Sequence, residues 1–174
     1  MKSLLIAGLF AALASNPAST EDINVISFNM DNKENNLEAV AEMIVKETPL
    51  IVAVQECPSQ GKTLKEKISG YESVGEGSCQ IFFLQDVLVL EGGKKINSKT
   101  YKASFKLRQS GRKFDVFNTV IGKAEDGVPA EQILDATQEH KPSIILGTIS
   151  HTPAGTFGKS RKNPNVVLCD KYSD

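Results

Sequence analysis

The stretch that decides the fold runs from Ile23 to Glu56 and reads INVISFNMDNKENNLEAVAEMIVKETPLIVAVQE. Its first segment, Ile23–Asn29, is a short and mostly alternating apolar run that predicts a strand. In Leu37–Glu47, apolar residues recur at the i, i+3, i+4, i+7 spacing of an amphipathic helix. Leu50–Val54 is a near-continuous apolar run, typical of a strand buried on both faces. Strand, helix and strand with short links predict a βαβ unit.

The two strands of this unit should deliver two polar side chains to one place. A βαβ crossover joins parallel strands and is almost always right-handed, so both strands end at the same edge of the sheet. Asn29 ends the first strand and Glu56 follows the second. We therefore expect them side by side, at the edge where open α/β folds place their ligand sites. Two plainer interpretations stay open: Asn29 as a turn former, and Glu56 as a residue that leaves the strand into solvent.

The N-terminal residues predict a secretory signal peptide. Lys2 precedes the apolar run Leu4–Leu13, and Ala12-Leu13-Ala14 matches an A-x-A cleavage site. We expect cleavage after Ala14 or within Ser15–Thr20. This divides the chain into a leader, residues 1–20, and a single domain, residues 21–174. No other run is long enough to span a bilayer, so the mature protein is predicted to be secreted or to lie in the lumen of a secretory compartment.

Composition and cysteine content limit the classes of protein to which the chain can belong. The chain has 174 residues, 40% of them hydrophobic and 24% charged, which is ordinary for a globular domain with a real core. Cys57, Cys79 and Cys169 predict one disulfide and one remaining thiol in an oxidising compartment. The sequence does not choose among the three pairings. The absence of a C-x-x-C motif and the presence of only two histidines argue against a metal site at the cysteines.

The middle of the chain predicts an antiparallel meander rather than further βαβ units. Tyr101–Arg108 alternates cleanly between apolar and polar residues, as a strand with one buried and one wet face does. The other predicted strands are Gln80–Leu84, Val87–Leu90 and Phe114–Ile121, with a loop at Ser73–Ser78 and a hairpin turn at Glu91-Gly92-Gly93-Lys94. After the meander we expect a helix at Ala130–His140 and strands at Ser143–Gly147 and Val166–Cys169.

Positive charge collects in this meander, between Lys94 and Lys113. This segment, the basic stretch, contains eight basic residues and no acid, although the whole chain carries a net charge of only −1. It predicts a surface for a polyanion such as nucleic acid or acidic lipid head groups. The plainer interpretation is a solvated strand face whose lysines block edge aggregation. The eight residues are Lys94, Lys95, Lys99, Lys102, Lys106, Arg108, Arg112 and Lys113.

The opening motifs resemble those of the endonuclease/exonuclease/phosphatase superfamily, which has the DNase I-like fold. INVISFN, a helix and then PLIVAVQE match a first strand that ends in Asn and a later strand that ends in Gln-Glu. Phe117-Asn118-Thr119, Ile144–Gly147 and Ser173-Asp174 follow the order of the later family segments. The resemblance implies an α/β fold with four layers, in which two mixed β-sheets pack between outer helices (α/β/β/α), here truncated.

The resemblance also implies hydrolysis of a phosphate ester by water with Mg²⁺. Carried over residue by residue, Glu56 would bind the metal, and Asn29 and Asn118 would bind phosphate. The chain departs from the family at the catalytic positions. Val120 stands where a phosphate-contacting His is usual, and Thr148 and Ser150 replace an Asp-x-Asn. Asp174 matches the closing Ser-Asp, but no His follows it.

These departures predict weak or lost catalysis. Valine cannot donate to a phosphate oxygen, and threonine cannot take a proton from water near neutral pH. Loss of positioned acid–base help costs about 10²- to 10⁴-fold in rate. Loss of a preorganised donor costs on the order of 10²- to 10³-fold. We therefore expect a secreted, catalytically impaired domain that binds a polyanion or another protein, with Mg²⁺ bound weakly or not at all.

Two alternatives remain at this point. One is an active Mg²⁺-dependent phosphodiesterase, a nuclease or a phosphatase, with an altered active site. The other is a small secreted α/β protein whose resemblance is limited to one βαβ unit. The partner under the leading hypothesis is nucleic acid or another phosphate-bearing ligand.

Overall fold

The fold is known from a computed structural model that describes residues 8–11, 22–30, 37–56, 60–121, 133, 136–137, 142–149 and 166–169. Ten strands and two helices lie in these ranges, and the strands form two five-stranded sheets. The elements are β1 (Gly8–Ala11), β2 (Ile23–Asn29), α1 (Leu37–Glu47), β3 (Ile51–Gln55), α2 (Gln60–Lys67), β4 (Tyr71–Glu76), β5 (Cys79–Leu84), β6 (Leu88–Asn97), β7 (Thr100–Leu107), β8 (Lys113–Ile121), β9 (Ser143–Ile149) and β10 (Val166–Cys169).

The predicted βαβ unit is present and forms the centre of the first sheet. Strands β2 and β3 are parallel, with Asn29 level with Gln55. Helix α1 ends where Thr48 takes a left-handed conformation, φ 42°, immediately before Pro49. The Thr48 amide closes the last turn by donating to the Ile44 carbonyl at 2.9 Å. A left-handed residue with this hydrogen bond is a common helix end, although Gly or Asn usually occupies it, and Pro49 cannot continue the helix.

The first sheet has the order β1-β2-β3-β5-β4 and is mixed. Strand β1 is antiparallel to β2, and β5 is antiparallel to both β3 and β4. The second sheet has the order β10-β9-β8-β7-β6. In this sheet β8, β9 and β10 are parallel, while β6, β7 and β8 form an antiparallel meander.

The larger core lies between the two sheets and is apolar over most of its length. Alternation along the strands points Ile51 and Ala53 of the first sheet toward Phe105 and Phe114 of the second, and all four belong to one buried cluster. A second cluster covers the opposite face of the first sheet, where Ile44 of α1 packs among β2 and β3 residues. Each sheet thus buries the faces that strand alternation assigns to it.

The outer face of the second sheet is buried as well. Phe117 and Ile145 alternate away from the inter-sheet core, yet both are fully buried. Ile133 and Thr137, in the segment predicted as the helix Ala130–His140, are also buried. Most of that predicted helix lies outside the described residues. The architecture is the predicted α/β sandwich of two mixed sheets.

Two predicted turns are wrong, and glycine is the reason in both. Ser73–Ser78 was expected to be a loop, but β4 continues to Glu76 with Gly75 at φ 148°. A Cβ at Gly75 would lie 2.2 Å from the Cys79 carbonyl oxygen, so the glycine permits close strand pairing rather than a turn.

The expected hairpin turn at Gly92-Gly93 is instead the middle of β6. The strand carries a register shift between Leu90 and Gly92, and Gly93 lies under the Tyr101 ring. The chain turns later, after Asn97, whose side chain accepts from the Lys99 amide at 2.9 Å. The predicted meander is also divided, because β5 pairs within the first sheet and only β6, β7 and β8 form a meander in the second.

Part of the predicted leader is described as β1, which pairs along β2 from Gly8–Ile26 to Ala11–Ile23. The signal peptide and its cleavage stay a prediction, and cleavage after Ala14 would remove this edge strand. Of the helices in the described ranges, none has the length and apolar character needed to cross a bilayer.

Candidate functional site

Polar side chains gather where the strands of both sheets end. On the inward faces of β2, β3, β8 and β9, the apolar alternation gives way to polar residues toward the carboxyl ends. The sheets pack face to face, so these side chains approach one another across the inter-sheet space. We call this region the strand-end site, and it comprises Asn29, Gln55, Glu56, Asn118 and Thr148.

Gln55 and Asn118 tie the two sheets together at the base of the site. The Gln55 amide nitrogen donates to the Asn118 side-chain oxygen at 2.7 Å, and both residues are buried. The Asn118 amide nitrogen donates to the carbonyls of Val54, at 2.9 Å, and Gln80, at 2.8 Å. These bonds hold the backbone of β3 in place directly before Glu56. In this conformation Asn118 acts on the site through the backbone, and its predicted direct phosphate contact stays a prediction.

Asn29 lies above this layer and bridges the sheets a second time. Its side-chain nitrogen donates to the Thr148 hydroxyl oxygen at 2.9 Å, although the two residues are 119 positions apart. Asn29 is exposed, whereas Gln55 and Asn118 below it are buried. Asn29, which is predicted to bind phosphate, therefore meets Thr148, a predicted catalytic position, across the mouth of the site.

Glu56 has an unusual backbone that bears on where its carboxylate lies. Its φ is 54°, a left-handed conformation that costs a non-glycine residue on the order of 1 to 3 kcal/mol. Continued strand alternation would point Glu56 outward with Val52 and Val54, and the left-handed step breaks that alternation. Its carboxylate acts electrostatically on the thiol of Cys79, a residue of the inward face. The strain therefore accompanies a carboxylate near the inter-sheet side of the edge.

Cys79 itself is a buried free thiol. The pKa of this thiol is raised to about 11, mainly by burial; a hydrogen bond with Ser78 lowers it and the Glu56 carboxylate adds to the rise. The thiol donates to the Lys99 carbonyl at 3.3 Å. Cys79 is thus protonated and unreactive at neutral pH. The side chains of Cys57 and Cys169 lie outside the described residues, so the disulfide pairing stays open.

Two neighbours on β8 and β9 define the remaining wall. Val120, which the resemblance aligns with a His, is buried and level with Thr148. Gly147 precedes Thr148, and a Cβ there would lie 1.8 Å from the Thr119 carbonyl oxygen. Glycine is required for this close approach of β9 to β8. Ser150 and Asp174, the other predicted catalytic positions, lie outside the described residues.

The residues present fit a magnesium ion only in part. In the described ranges, no group of three or more His, Cys, Asp or Glu side chains forms a ready-made metal site. Glu56 is the carboxylate that follows Gln55 at the end of β3. A hard cation is commonly held by one or two carboxylates when substrate phosphates complete its shell. The site therefore fits Mg²⁺ together with a phosphate ligand, rather than alone.

Acids from other strands neutralise part of the basic stretch. Lys102 lies 2.9 Å from the buried Asp115 carboxylate, which also accepts from Ser104 at 2.7 Å. Lys113 pairs with Glu91 at 2.8 Å. Lys95 lies 3.6 Å from Glu76. These acids fall outside the segment in sequence and approach it only in the folded chain. Asp115 and Glu91 lie in the same sheet as their partners, whereas Glu76 lies on β4 of the other sheet. The sequence pattern therefore overstates the free charge of the basic stretch.

Gln55 and Ser27 are site residues that the sequence analysis missed. The Gln55 amide nitrogen also donates to the Ser27 hydroxyl at 3.1 Å. Both belong to strands that were correctly predicted, and their inward direction follows from the alternation of Val25 and Ala53. The available signal was a polar residue at an inward position near a strand end.

Solved structures with the same architecture give this geometry a context. An endonuclease/exonuclease/phosphatase from Bacteroides vulgatus matches with a TM-score of 0.64 and 18% identity, over 80% of this chain and 70% of that one. The mannosyl-6-phosphatase Bt3783 of Bacteroides thetaiotaomicron matches with a TM-score of 0.55 and 17% identity, over 71% and 63%. TDP2 of D. rerio, complexed with a single-strand DNA product, matches with a TM-score of 0.56 and 15% identity, over 71% and 58%.

The chain is thus shorter than these proteins and spans less than two thirds of the length of the last two. No family model and no curated protein matches the sequence. The identities are low, so the likeness concerns the fold. These matches show that the chain has the fold of the endonuclease/exonuclease/phosphatase structures, the DNase I-like fold.

Proposed function

We propose that this protein binds a phosphate-bearing ligand at the strand-end site and hydrolyses it poorly or not at all. The observation that carries the proposal is the Asn29–Thr148 hydrogen bond across the two sheets. It supports a pocket in which an exposed amide is still positioned at the mouth. It also supports weak catalysis, because the group opposite the Asn29 amide is the neutral Thr148 hydroxyl rather than a carboxylate.

The ligand contacts follow from the chemistry of the groups present. Asn29 would donate to a phosphate oxygen in exchange for its bond to Thr148. Glu56 would hold a Mg²⁺ ion whose remaining ligands come from the phosphate and from water. When bound, the ion would neutralise phosphate charge. Gln55 and Asn118 would keep the Glu56 backbone in place without touching the ligand.

The same groups account for weak turnover. Val120 offers no donor, and the Thr148 hydroxyl cannot serve as a base near neutral pH. Without a positioned acid–base group, the rate falls by about 10²- to 10⁴-fold. The protein would then release the ligand more often than it cleaves it.

The substrate class of the similar structures guides the choice of ligand. One is named a mannosyl-6-phosphatase and another holds a single-strand DNA product, so a phosphate ester on a sugar or a nucleic acid is the first choice. The basic stretch would add attraction for a longer polyanion. Its contribution is moderate, because Lys95, Lys102 and Lys113 already have acidic partners.

We further propose that the protein acts outside the cytosol, after removal of its leader. The support is the sequence Lys2, Leu4–Leu13 and Ala12-Leu13-Ala14. The mass of the protein recovered from the medium of expressing cells tests this. A mature N-terminus between residues 15 and 21 is expected, and an intact residue 1 in exported protein would contradict it.

Ligand binding is tested by calorimetry with a short single-stranded oligonucleotide and with a sugar phosphate, each with Mg²⁺ and with chelator. We expect binding that needs Mg²⁺ and that weakens at least tenfold in Glu56→Gln. Glu47→Gln is the matched control, since Glu47 is an exposed carboxylate at the end of α1. Equal loss in both variants, or no binding to either ligand, would refute the strand-end site.

The runner-up is an active phosphodiesterase, and the strained Glu56 backbone is the observation that favours it. Strain of this kind is often kept where a side chain must reach a reacting group. A continuous assay with a chromogenic phosphodiester distinguishes the active phosphodiesterase from the binding protein. Metal-dependent turnover that Glu56→Gln abolishes and Glu47→Gln retains would establish the enzyme and displace the binding protein.

A further inference from the structure

Arg112 carries two buried hydrogen-bond donors that have no acceptor. Both Nε and Nη2 of its guanidinium are shielded from solvent, and neither has a hydrogen-bond partner. An unpartnered donor on a buried charged group destabilises the folded chain more than an unpartnered neutral donor does. Such a pair therefore points to a missing acceptor.

The two unsatisfied atoms are the pair that recognises an oxyanion. Nε–H and Nη2–H lie on one edge of the planar guanidinium and point in parallel, which matches two oxygens of a phosphate or carboxylate group. A single orphaned atom would indicate a water molecule. Two on one edge match the two oxygens of a bidentate ligand, and the Arg112 residue as a whole is only partly buried.

The turn between β7 and β8 holds Arg112 firmly. The Arg112 carbonyl accepts from the Leu107 amide at 2.9 Å, and the Gly111 amide donates to the Leu107 carbonyl at 2.9 Å. Gly111 supplies the left-handed residue that the turn needs, with φ 73°. The guanidinium is thus presented from a closed turn rather than from a loose loop.

The neighbouring cations are already satisfied, which sets Arg112 apart. Lys113, the next residue, pairs with Glu91 at 2.8 Å. Arg108, at the start of the turn, donates its Nε to the Gln85 carbonyl at 2.8 Å. Their charges add to the local positive potential without competing for the same acceptor. This corner precedes β8, so it lies at the end of the second sheet opposite to the strand-end site.

We propose that Arg112 is the anchor of a second anion site, which binds a phosphate or carboxylate group through Nε and Nη2. The site deepens the proposed role of the basic stretch by naming the residue that makes the specific contact. It rests on that proposal only for the class of ligand, and not on Glu56 or Asn29. A phosphate group and a carboxylate group share this chemistry, and the two arms of the test separate them.

The test follows the Arg112 Nε–H signal of the ¹⁵N-labelled full chain by NMR during titration with inorganic phosphate, and separately with acetate, at constant ionic strength set by chloride. We expect a saturable shift with phosphate, acetate or both. Arg112→Lys should bind about tenfold more weakly, because an ammonium group cannot form the two parallel bonds. Thermal unfolding in the same buffers provides a second measurement for the variants.

Lys113→Met is the matched control, since it removes an adjacent charge whose acceptor is Glu91. It should keep the saturable anion-dependent rise in unfolding temperature, and Arg112→Met should lose it. Arg112→Met should be at least as stable as the parent chain in anion-free buffer, because it removes an unpartnered buried charge. Marked destabilisation there would reveal an acceptor within the chain and overturn the site, as would an unchanged Nε–H signal.

The outcome is independent of the proposed function. Glu56→Gln should leave the Arg112 titration unchanged. If Mg²⁺-dependent ligand binding fails while the Arg112 signal still saturates, the strand-end proposal falls and this one stands. The reverse result removes the Arg112 site alone.

Discussion

The space between the two sheets is filled in two different ways along its length. In most of it, rings and aliphatic side chains interlock, as where the Phe105 ring centroid lies 5.1 Å from that of Phe83 and 5.9 Å from that of Phe114. At the strand ends, the same inward positions hold amides and hydroxyls that bridge the sheets by hydrogen bonds.

The difference separates what the fold needs from what a ligand site needs. The apolar part stabilises the sandwich by burial and requires no exact partner. The polar part must satisfy every buried donor and acceptor, so it contributes little net stability but fixes positions closely. The four predictions below test this contrast, from the largest expected effect to the smallest.

Phe105→Ala should be the most damaging change. Phe105 is fully buried and contacts two other rings, and truncating such a residue typically costs about 3 to 5 kcal/mol of unfolding free energy. Chemical denaturation monitored by circular dichroism would measure it. A cost below about 1 kcal/mol would mean that the two sheets are not packed here.

Asn118→Ala should lower the free energy of unfolding by about 2 to 3 kcal/mol. It leaves the Gln55 amide and two backbone carbonyls without their hydrogen-bond partner. The double variant Gln55→Leu with Asn118→Leu should cost less than the sum of the single leucine changes, since it removes both partners of the bridging bond. Strict additivity of the two changes would argue against the Gln55–Asn118 hydrogen bond.

Alkaline pH should weaken the fold through Cys79. The folded-state pKa of this thiol is about 11, raised by burial from 9.0. The unfolded thiol therefore ionises first, so the associated stability is complete below pH 9 and is lost as the pH rises to about 11. The loss should be on the order of 2 kcal/mol at most.

Denaturation midpoints measured between pH 8 and pH 11 would show this decline, and Cys79→Ala should reduce it. Tyr71→Phe is the control for a second group. Burial raises the pKa of the Tyr71 phenol to about 12, so its window lies between pH 10 and pH 12. A decline between pH 9 and pH 10 that Cys79→Ala leaves unchanged would refute the assignment.

Glu56→Gly should stabilise the chain slightly, by about 0.5 to 1 kcal/mol. Glycine relieves the left-handed strain of a residue with a Cβ, and the gain is partly offset by the greater freedom of the unfolded chain. Thr48→Gly is a matched control with φ 42° and no place in the strand-end site. Both variants should unfold at higher denaturant concentration, but only Glu56→Gly should lose Mg²⁺-dependent ligand binding.

The sequence predicted those features that depend on local periodicity. The bounds of β2 and α1 match the predicted Ile23–Asn29 and Leu37–Glu47, and the parallel pairing of β2 with β3 placed Asn29 and Gln55 level at one edge. Glycine misled the prediction at Gly75 and Gly92, because a residue that favours turns also permits close pairing and bulges.

Local periodicity predicted only the first half of the candidate site, and the second half was named only through the resemblance. Asn29 and Glu56 belong to one βαβ unit, whereas their counterparts Asn118 and Thr148 belong to another sheet. Which residues of the two sheets face each other depends on how the sheets pack, and no local pattern encodes that. The acids that neutralise Lys102 and Lys113 were hidden for a similar reason, since they lie on other strands of the same sheet, β8 and β6.

The close backbone approach at Gly147 has a consequence for how such a chain can change over time. With no side chain to wedge β8 and β9 apart, the spacing between them does not depend on the residue that comes next. An aspartate at position 148 could give way to threonine without moving the scaffold. At this point the chemistry of the side chain can change while the backbone of the strand pair stays the same, so an enzyme with this arrangement could lose its activity and keep its fold.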